Sequence, residues 1–546
     1  MSGRDDGEGM REMPKGQEQD RETAGEQRAD EEGMREMSKK QDQNRNGTAS
    51  QRADRDQKNK IPKKAGGQER SGKNETRRMD NKREIYVTGF FFAAVFAVLI
   101  GYLGYFTATS QEQMINNSYN SRQEILLSRN YRGTIYSRDG EVLAETVLDE
   151  MQNEMRVYPF GDLFAHIVGY STKGRMGVEA LANFYLINTH TSLRNKAAND
   201  AAGVKNPGDN VYTTLDVKIQ EVADDQLNVY KGAVVVTEVA TGKILAMVSH
   251  PDFDPNQIGE IWDSIVENKD SSVLLNRATQ GLYPPGSTFK IITALEYIRE
   301  NPDTYNTYSY QCTGTFTARG SRISCYHGTK HGEVSFERSF AKSCNSSFAN
   351  IGMGLDRERF EVTLEGLLFD QPLPLTLSYT ESKVTISKDT STDEMLQTSI
   401  GQGKTQITPL HLNMITSAIA NDGVLMKPYV IDRVENDAGR VIKSYYPDSY
   451  GQLMDVSEAE ILKGLMTAVV EGGTASKLSG QSYTAAGKTG SAEYNDTKTD
   501  SHAWFTGFAP AEEPEVCVTI IVEGAGSGGD YAVPIARRIF DAYFDH

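Results

Sequence analysis

From Ile85 to Ala108 the chain reads IYVTGFFFAAVFAVLIGYLGYFTA, 24 residues without one charged side chain. Wound as a helix, such a run crosses a hydrocarbon layer of about 30 Å. It divides the polypeptide between two compartments, and every other segment has to be read on one side or the other. Arg77, Arg78, Lys82 and Arg83 precede it, whereas the far side opens with Ser-Gln-Glu-Gln. The positive-inside bias places residues 1–84 in the cytoplasm and everything from residue 109 outside the cell. A cleaved signal peptide is the competing reading. The 84-residue leader, the length of the apolar run and the lack of a clean small-residue cleavage site favour a retained single-pass anchor at 85–108.

The 84 residues ahead of the anchor contain no Leu, Val, Phe, Tyr or Trp and a single Ile. They cannot bury enough apolar surface to offset their ordering entropy, which predicts a disordered cytoplasmic tail. GMREM recurs at 9–13 and 33–37, and QRAD at 27–30 and 51–54, each offset by 24 residues. Two polar copies supply no core for a solenoid, so the duplication reads as an expansion within a tail. Its stretch 51–84 carries 12 positive against 6 negative charges, a balance suited to anionic lipid or to a plain solvated tether. The tail holds 21 Lys and Arg against 19 Asp and Glu, leaving 37 against 56 for the remainder. An acidic outer body repels phosphates and argues against nucleic acid as a partner.

Residues 109–209 are Gly-punctuated and carry no catalytic cluster. RNYRGTIYSRDGEVLAET predicts a hairpin turning at Arg138-Asp139-Gly140, and Val178, Leu181, Phe184 and Leu186 have helical spacing. AANDAAGVKNPGDN, 197–210, is rich in breakers and marks a boundary. The larger domain, 210–546, opens with GAVVVTEV and KILAMVS, a buried hairpin around Ala240-Thr241-Gly242. HAWFTGFAP and EVCVTIIVEG add two buried strands near the end, with helical stretches such as 287–299 and 456–471 between. Strands at both ends with helices between predict an α+β domain built round an antiparallel sheet.

Within it, GLYPPGSTFKII (281–292) sets Ser287 three residues before Lys290, behind a turn that no helix continues through. Both side chains then lie on one face of the helix that follows. A serine needs a base to become a nucleophile, and a desolvated lysine serves as one. The alternative is a serine that caps the helix and a lysine that reaches to solvent. Ser339 and Lys342 repeat the spacing, so it decides nothing alone. Ser343-Cys344-Asn345 and Lys488-Thr489-Gly490 complete an ordered trio of S-x-x-K, S-x-N and K-T-G. That trio is the signature of penicillin-binding proteins and class A β-lactamases.

With these motifs, and with NRATQGLYPPGSTFK, SIGQGKTQITPLHL, AIANDGVLMKP and AGKTGSAE, the chain resembles a class B penicillin-binding protein of the compact type. The resemblance covers roughly 130–545. It implies a penicillin-binding/serine β-lactamase-like transpeptidase domain on a small non-catalytic pedestal (109–209), and a peptidoglycan D,D-transpeptidase that binds penicillin covalently. No glycosyltransferase stretch precedes the pedestal, which implies that the chain is not of the bifunctional class. Carried over residue by residue, the resemblance makes Ser287 the nucleophile and Lys290 its base. Ser343 relays a proton to the leaving amine, and Asn345 bonds the donor amide. Lys488 supplies positive potential, Thr489 and Ser491 bind the terminal carboxylate, and Gly490 admits substrate to the strand. Ser491 stands where the family more often has Thr. The implied partners are stem peptides ending in D-Ala-D-Ala, β-lactams and a SEDS-type membrane glycosyltransferase. The rivals are a D,D-carboxypeptidase, a β-lactamase or β-lactam sensor, and a catalytically dispensable scaffold in a wall-synthesis complex. No cofactor is expected for catalysis.

Cys312, Cys325, His331 and Cys344 fall within 33 residues and use three of the four cysteines. Three thiolates and an imidazole make a tetrahedral zinc set, and some elongation-type members of the class carry zinc in this neighbourhood. A Cys312–Cys325 disulfide with a structural His331 is the alternative outside the membrane, with free thiols the third. Cys517, alone in an apolar strand, reads as core.

Overall fold

The computed structural model describes residues 73–109, 122–151, 153–268, 271–493 and 500–545. The duplicated stretch of the tail lies outside them. The chain forms two units, residues 1–99 and 100–546. Helix α1 (Lys73–Thr109) begins inside the segment expected to be without structure. Its stretch Arg83–Phe106 has a mean hydropathy of 2.1, and among the described residues it alone is long and apolar enough to cross a membrane. Phe90, Phe91, Phe96 and Ile100 point outward from it, as lipid-facing side chains do.

In the second unit β1 (Ile135–Tyr136) and β2 (Val142–Leu148) pair antiparallel, with Ile135 opposite Ala144. The turn falls where Arg138-Asp139-Gly140 predicted it, with Gly140 at φ 90°. β3 (Glu154–Val157) extends the hairpin, and β4 (Asn210–Thr213) runs parallel to β1. Two strands from far along the chain, Ile431–Glu435 and Val441–Ser444, complete this six-stranded sheet. The sheet is therefore not contained within 109–209. Strands this short carry too little alternation to announce a distant partner. The boundary segment is also more ordered than its breakers suggest: Leu193–Ala202 is a helix, capped by Ser192 and closed by Gly203 at φ 70°. Gly177–Leu181 and Asn183–Ile187 form two short helices where one was predicted, the chain turning at Ala182.

Beneath the pedestal sheet lies a closed ionic cluster. Glu179, fully buried, takes the guanidinium of Arg132 on one carboxylate oxygen (2.5 Å) and that of Arg156 on the other (2.7 Å). Arg132 also donates to the Asn183 side-chain oxygen (2.7 Å), and the Tyr158 hydroxyl to Glu179 (3.2 Å). Burial alone would raise the Glu179 pKa, but the two guanidiniums outweigh it and hold the carboxyl below its ordinary range.

The larger domain is ordered along the chain as β5 (Gly232–Glu238), β6 (Ile244–His250), α2 (Lys290–Glu300), a hairpin β7 (Thr315–Ala318) and β8 (Ser321–Ser324), then α3 (Asn345–Gly354). α4 (Pro409–Ala420), α5 (Val456–Gly472), β9 (Ala486–Glu493), β10 (Ser501–Ala509), β11 (Val516–Val522) and α6 (Ala532–Phe544) follow. The main sheet is antiparallel, as the apolar runs predicted, and its five strands lie in the order β9-β10-β11-β5-β6. β6, β10 and β11 are buried at every position, so both faces of the sheet are covered. β9 remains an edge strand, and the site is built along it.

Candidate active site

The Pro-Pro-Gly turn is fixed from three sides. Trp504 Nε1 donates to the Pro284 carbonyl (3.0 Å), the Gly286 N–H donates to the Gly401 carbonyl (2.9 Å), and Gly286 itself sits at φ 53°. A Cβ on Gly286 would come within 2.8 Å of the Ser491 carbonyl oxygen, so only glycine lets the turn lie against β9. Residues Gly286–Phe289 form a 3₁₀ turn, and the α-helix starts at Lys290 rather than at Ser287. Three residues per turn eclipse positions i and i+3, which sets Lys290 directly beneath Ser287. Lys290 Nζ lies 3.1 Å from Ser287 Oγ. Neither alternative reading of the pair survives: Ser287 makes no cap, and Lys290 is 0 % exposed.

Ser343 occupies the kink between helix Phe336–Ala341 and α3, in the left-handed region at φ 55°. A non-glycine residue held there is strained. Lys290 Nζ reaches the Ser343 carbonyl (2.8 Å), the Ser343 Oγ (3.1 Å) and Asn345 Oδ1 (2.6 Å). From β9, Lys488 Nζ donates to the same Ser343 Oγ (3.0 Å) and to the Thr489 carbonyl (3.0 Å). One hydroxyl thus links two lysines, and Ser287, Lys290, Ser343, Asn345 and Lys488 form one hydrogen-bonded chain.

Both lysines are fully buried. Desolvation brings the Lys290 pKa down to about 7, against a smaller upward pull from Cys344 and Cys325. Desolvation, reinforced by repulsion from Lys290, holds Lys488 well below its ordinary value. Two ammonium groups on one buried hydroxyl disfavour each other, so a neutral amine beside Ser287 is the expected state near neutral pH.

The other β9 positions are equally constrained. A Cβ on Gly490 would stand 2.9 Å from the Pro285 carbonyl oxygen and 3.1 Å from Thr288 Cγ2, so this glycine admits the turn that carries Ser287 to the strand. Thr489 Oγ1 pairs with Thr474 Oγ1 (2.5 Å), and Ser491 Oγ accepts from the Gly528 N–H (3.4 Å). The second Ser-x-x-Lys spacing comes apart. Ser339 is buried and accepts from Ser347 Oγ (2.7 Å), while exposed Lys342 reaches the Gly472 carbonyl (2.6 Å).

The four residues of the cysteine cluster also converge. Cys325 Sγ lies 3.7 Å from both Cys312 Sγ and Cys344 Sγ, and Cys312 Sγ lies 3.5 Å from His331 Nδ1. Sulfurs in a disulfide stand about 2.05 Å apart, so the Cys312–Cys325 bond is absent and all four cysteines are free thiols. Four ligands placed tetrahedrally at zinc's usual bond length of about 2.3 Å would separate the sulfurs by about 3.8 Å. The donor set therefore fits that ion. The Cys325 and Cys344 thiols act on each other: a hydrogen bond from Cys344 pulls Cys325 down toward the thiolate, and the same contact pushes Cys344 up.

Several site residues escaped the sequence reading. Asn345 Nδ2 donates to the Ser324 carbonyl (3.0 Å), tying α3 to the end of β8. The Gln402 amide, oriented with its NH₂ toward the Glu493 carbonyl (3.2 Å) and its oxygen toward the Glu493 N–H (3.1 Å), closes the outer edge of β9. Between these walls runs a cleft of about 430 Å³ lined by Arg322, Ser324, Asn345, Gln402, Ser491 and Glu493. Asn345 and Ser491 were already named from their motifs; of the others only Gln402 carried a signal, standing between Gly401 and Gly403.

Known proteins share this architecture. The family described as penicillin binding protein transpeptidase domain matches residues 232–541, and the penicillin binding protein A dimerisation domain matches 132–211. Peptidoglycan D,D-transpeptidase PbpA of Mycolicibacterium smegmatis is 32% identical over 454 residues, covering 77% of this chain and 91% of that protein. Peptidoglycan D,D-transpeptidase MrdA of Acinetobacter baumannii is 30% identical over 443 residues, covering 71% and 65%. The structure of penicillin-binding protein A from M. tuberculosis as its penicillin G acyl-enzyme complex superposes with a TM-score of 0.69 at 29% identity, covering 76% of this chain and 100% of that one. With a transpeptidase domain over most of its outer part and a pedestal ahead of it, the chain belongs to the penicillin-binding proteins, in their class B arrangement.

Proposed function

We infer that this chain is a membrane-anchored peptidoglycan D,D-transpeptidase that cross-links stem peptides through a serine acyl-enzyme. The observation that carries the reading is the buried Lys290 amine 3.1 Å from Ser287 Oγ, its pKa brought down to about 7 by desolvation. Neutral Lys290 takes the Ser287 proton as Oγ attacks the penultimate D-Ala carbonyl. The backbone N–H groups of Ser287 and Ser491 hold the developing oxyanion, each contributing about 3 kcal/mol. The C–N bond then breaks, and the proton passes through Ser343 Oγ to the departing D-Ala amine. An amine from a second stem attacks the ester, loses its proton along the same route and leaves Ser287 free. The arriving terminal carboxylate meets Thr489, Ser491 and Lys488, and its negative charge restores the Lys488 proton. Asn345, with one amide hydrogen on Ser324, keeps the other for the donor peptide.

Fluorescent penicillin tests the assignment. Labelling of the full chain is expected to vanish in Ser287→Ala and to persist in Ser339→Ala; label on the first variant would remove Ser287 as nucleophile. Because protonated Lys290 cannot accept the serine proton, the labelling rate should rise with pH through about 7 and then level. Given donor and acceptor stems, cross-linked product is expected; D-Ala release without it would make the enzyme a D,D-carboxypeptidase.

Cys312, Cys325, His331 and Cys344 would hold a structural zinc, which clamps the segment after β8 to the start of α3 and takes no part in the acyl transfer. Their mutual fit within 4.8 Å supports this reading. One equivalent of zinc in the purified protein, and a lower melting temperature after chelation, are the expected results; metal-free protein of unchanged stability would count against it. Arg77, Arg78, Lys82 and Arg83, ahead of the apolar run of α1, support a cytoplasmic tail and an outward catalytic domain. Leu148, Met151 and Met155, exposed around edge strand β3, offer a surface for the SEDS-type glycosyltransferase. Co-purification lost on changing both methionines to aspartate is the check.

A further inference from the structure

The cleft that opens from Ser491 and Asn345 ends at a cation that the acyl-transfer chemistry does not use. Arg322 sits on β8 opposite Thr317, in a hairpin whose turn is made by Arg319 and Gly320, both at positive φ. Side chains alternate along a strand. Ile323 is buried, whereas Arg322 and Ser324 on either side of it are exposed, and all three line the cleft. The Ser324 carbonyl is held by Asn345 Nδ2 (3.0 Å), and Cys325 follows directly, its N–H bonded to the Gly314 carbonyl (2.9 Å). Arg322 therefore projects from a pinned platform. Among the described residues Arg322 makes no ion pair, although Glu493 lines the same cleft.

The path of a donor peptide follows from β9. Its terminal carboxylate belongs at Thr489 and Ser491, and its reacting carbonyl at Ser287. The upstream residues run on toward Glu493, but Gln402 already occupies both backbone groups of Glu493. A strand paired to the edge of β9 must leave it there and enter the cleft between Glu493 and the β7–β8 hairpin. The first side chain to arrive belongs to the residue ahead of the two D-alanines. A side chain there that ends in a carboxylate would meet the Arg322 guanidinium across the cleft.

We propose that Arg322 reads a carboxylate on the third residue of the donor stem and so selects stems that carry one over stems in which it is amidated or missing. A guanidinium fork on a rigid hairpin suits a carboxylate in a way a neutral amide does not match. The proposal rests on the transpeptidase reading, and the experiment separates the two. The full chain in detergent is given two synthetic donor stems that differ only in a carboxylate or carboxamide on the third side chain, with the same simple amine, an excess of a free D-amino acid, as acceptor for both. The readout is kcat/KM for D-Ala release, with penicillin labelling as the control for an intact site. Wild type is expected to favour the carboxylate stem about tenfold. Arg322→Ala and Arg322→Gln are expected to erase the preference while leaving the carboxamide stem and penicillin labelling unchanged, and Arg322→Lys to restore part of it. No preference in wild type, or an equal loss on both stems in Arg322→Gln, overturns the assignment. Intact penicillin labelling with no D-Ala release from either stem would overturn the transpeptidase reading, and this role with it.

Discussion

Lys290→Met is expected to slow acylation by penicillin about 10³-fold while the protein still folds. The range for losing a positioned general base is about 10²–10⁴. Methionine fills most of the buried stem, so the core around α2 keeps its volume. What disappears is the one amine that bridges Ser287 Oγ, Ser343 and Asn345 Oδ1. Lys290→Arg separates base from charge. It keeps the cation, but a guanidinium does not release its proton in the accessible range, so this variant should be as slow as the first. Stopped-flow labelling, with the melting temperature measured alongside, reads both. An arginine variant that acylates at near wild-type rate would mean that position 290 acts through charge and that the base lies elsewhere.

Glu179→Ala is expected to cost about 3–5 kcal/mol, the range for breaking a buried ion pair from one side. Two guanidiniums whose side chains are each only 8% exposed would lose their shared anion. The loss should appear as a lower melting temperature of the full chain. Penicillin labelling at low temperature should persist, because Glu179 touches no residue of the Ser287 site. The pH dependence has a definite sign. The folded Glu179 pKa is depressed, so its contribution is complete above the ordinary carboxylate range and fades as pH falls through the folded value. The gap between wild type and variant should therefore close in acid. A variant as stable as wild type at neutral pH would show that the cluster fixes geometry without adding stability.

The candidate site residues were legible because the proposed chemistry needs fixed types at fixed spacings. Ser287, Lys290, Ser343, Asn345 and Lys488 sit in short motifs, and helix and strand geometry turns those spacings into proximity. The five-stranded sheet was legible for a related reason: strands buried on both faces, such as VCVTIIV, leave apolar runs that little else produces. What stayed hidden depends on contacts between segments far apart in the chain. Nothing in Gln402 or Glu493 announces that one amide caps the other's backbone, and nothing in Ser324 foretells Asn345. The choice among zinc, disulfide and free thiols at Cys312 and Cys325 also waited on distance, since composition is the same for all three. The extra turns of α1 before Ile85 were missed because they are polar, and apolar content was the criterion for the anchor.

The six-stranded sheet has a consequence for how the protein comes to be made. Its first strands are made early, whereas Ile431–Glu435 and Val441–Ser444, which complete it, come more than 200 residues later. As the chain is synthesised from its anchored end, the pedestal waits with an unfinished edge while most of the catalytic domain follows. Closing so long a loop is slow, and an open edge invites wrong partners in the meantime. A version truncated before residue 431 should thus fail to give a soluble pedestal, even though the homology over 132–211 marks it as a unit. The two modules share one folding event, and the catalytic half supplies the strands that end it.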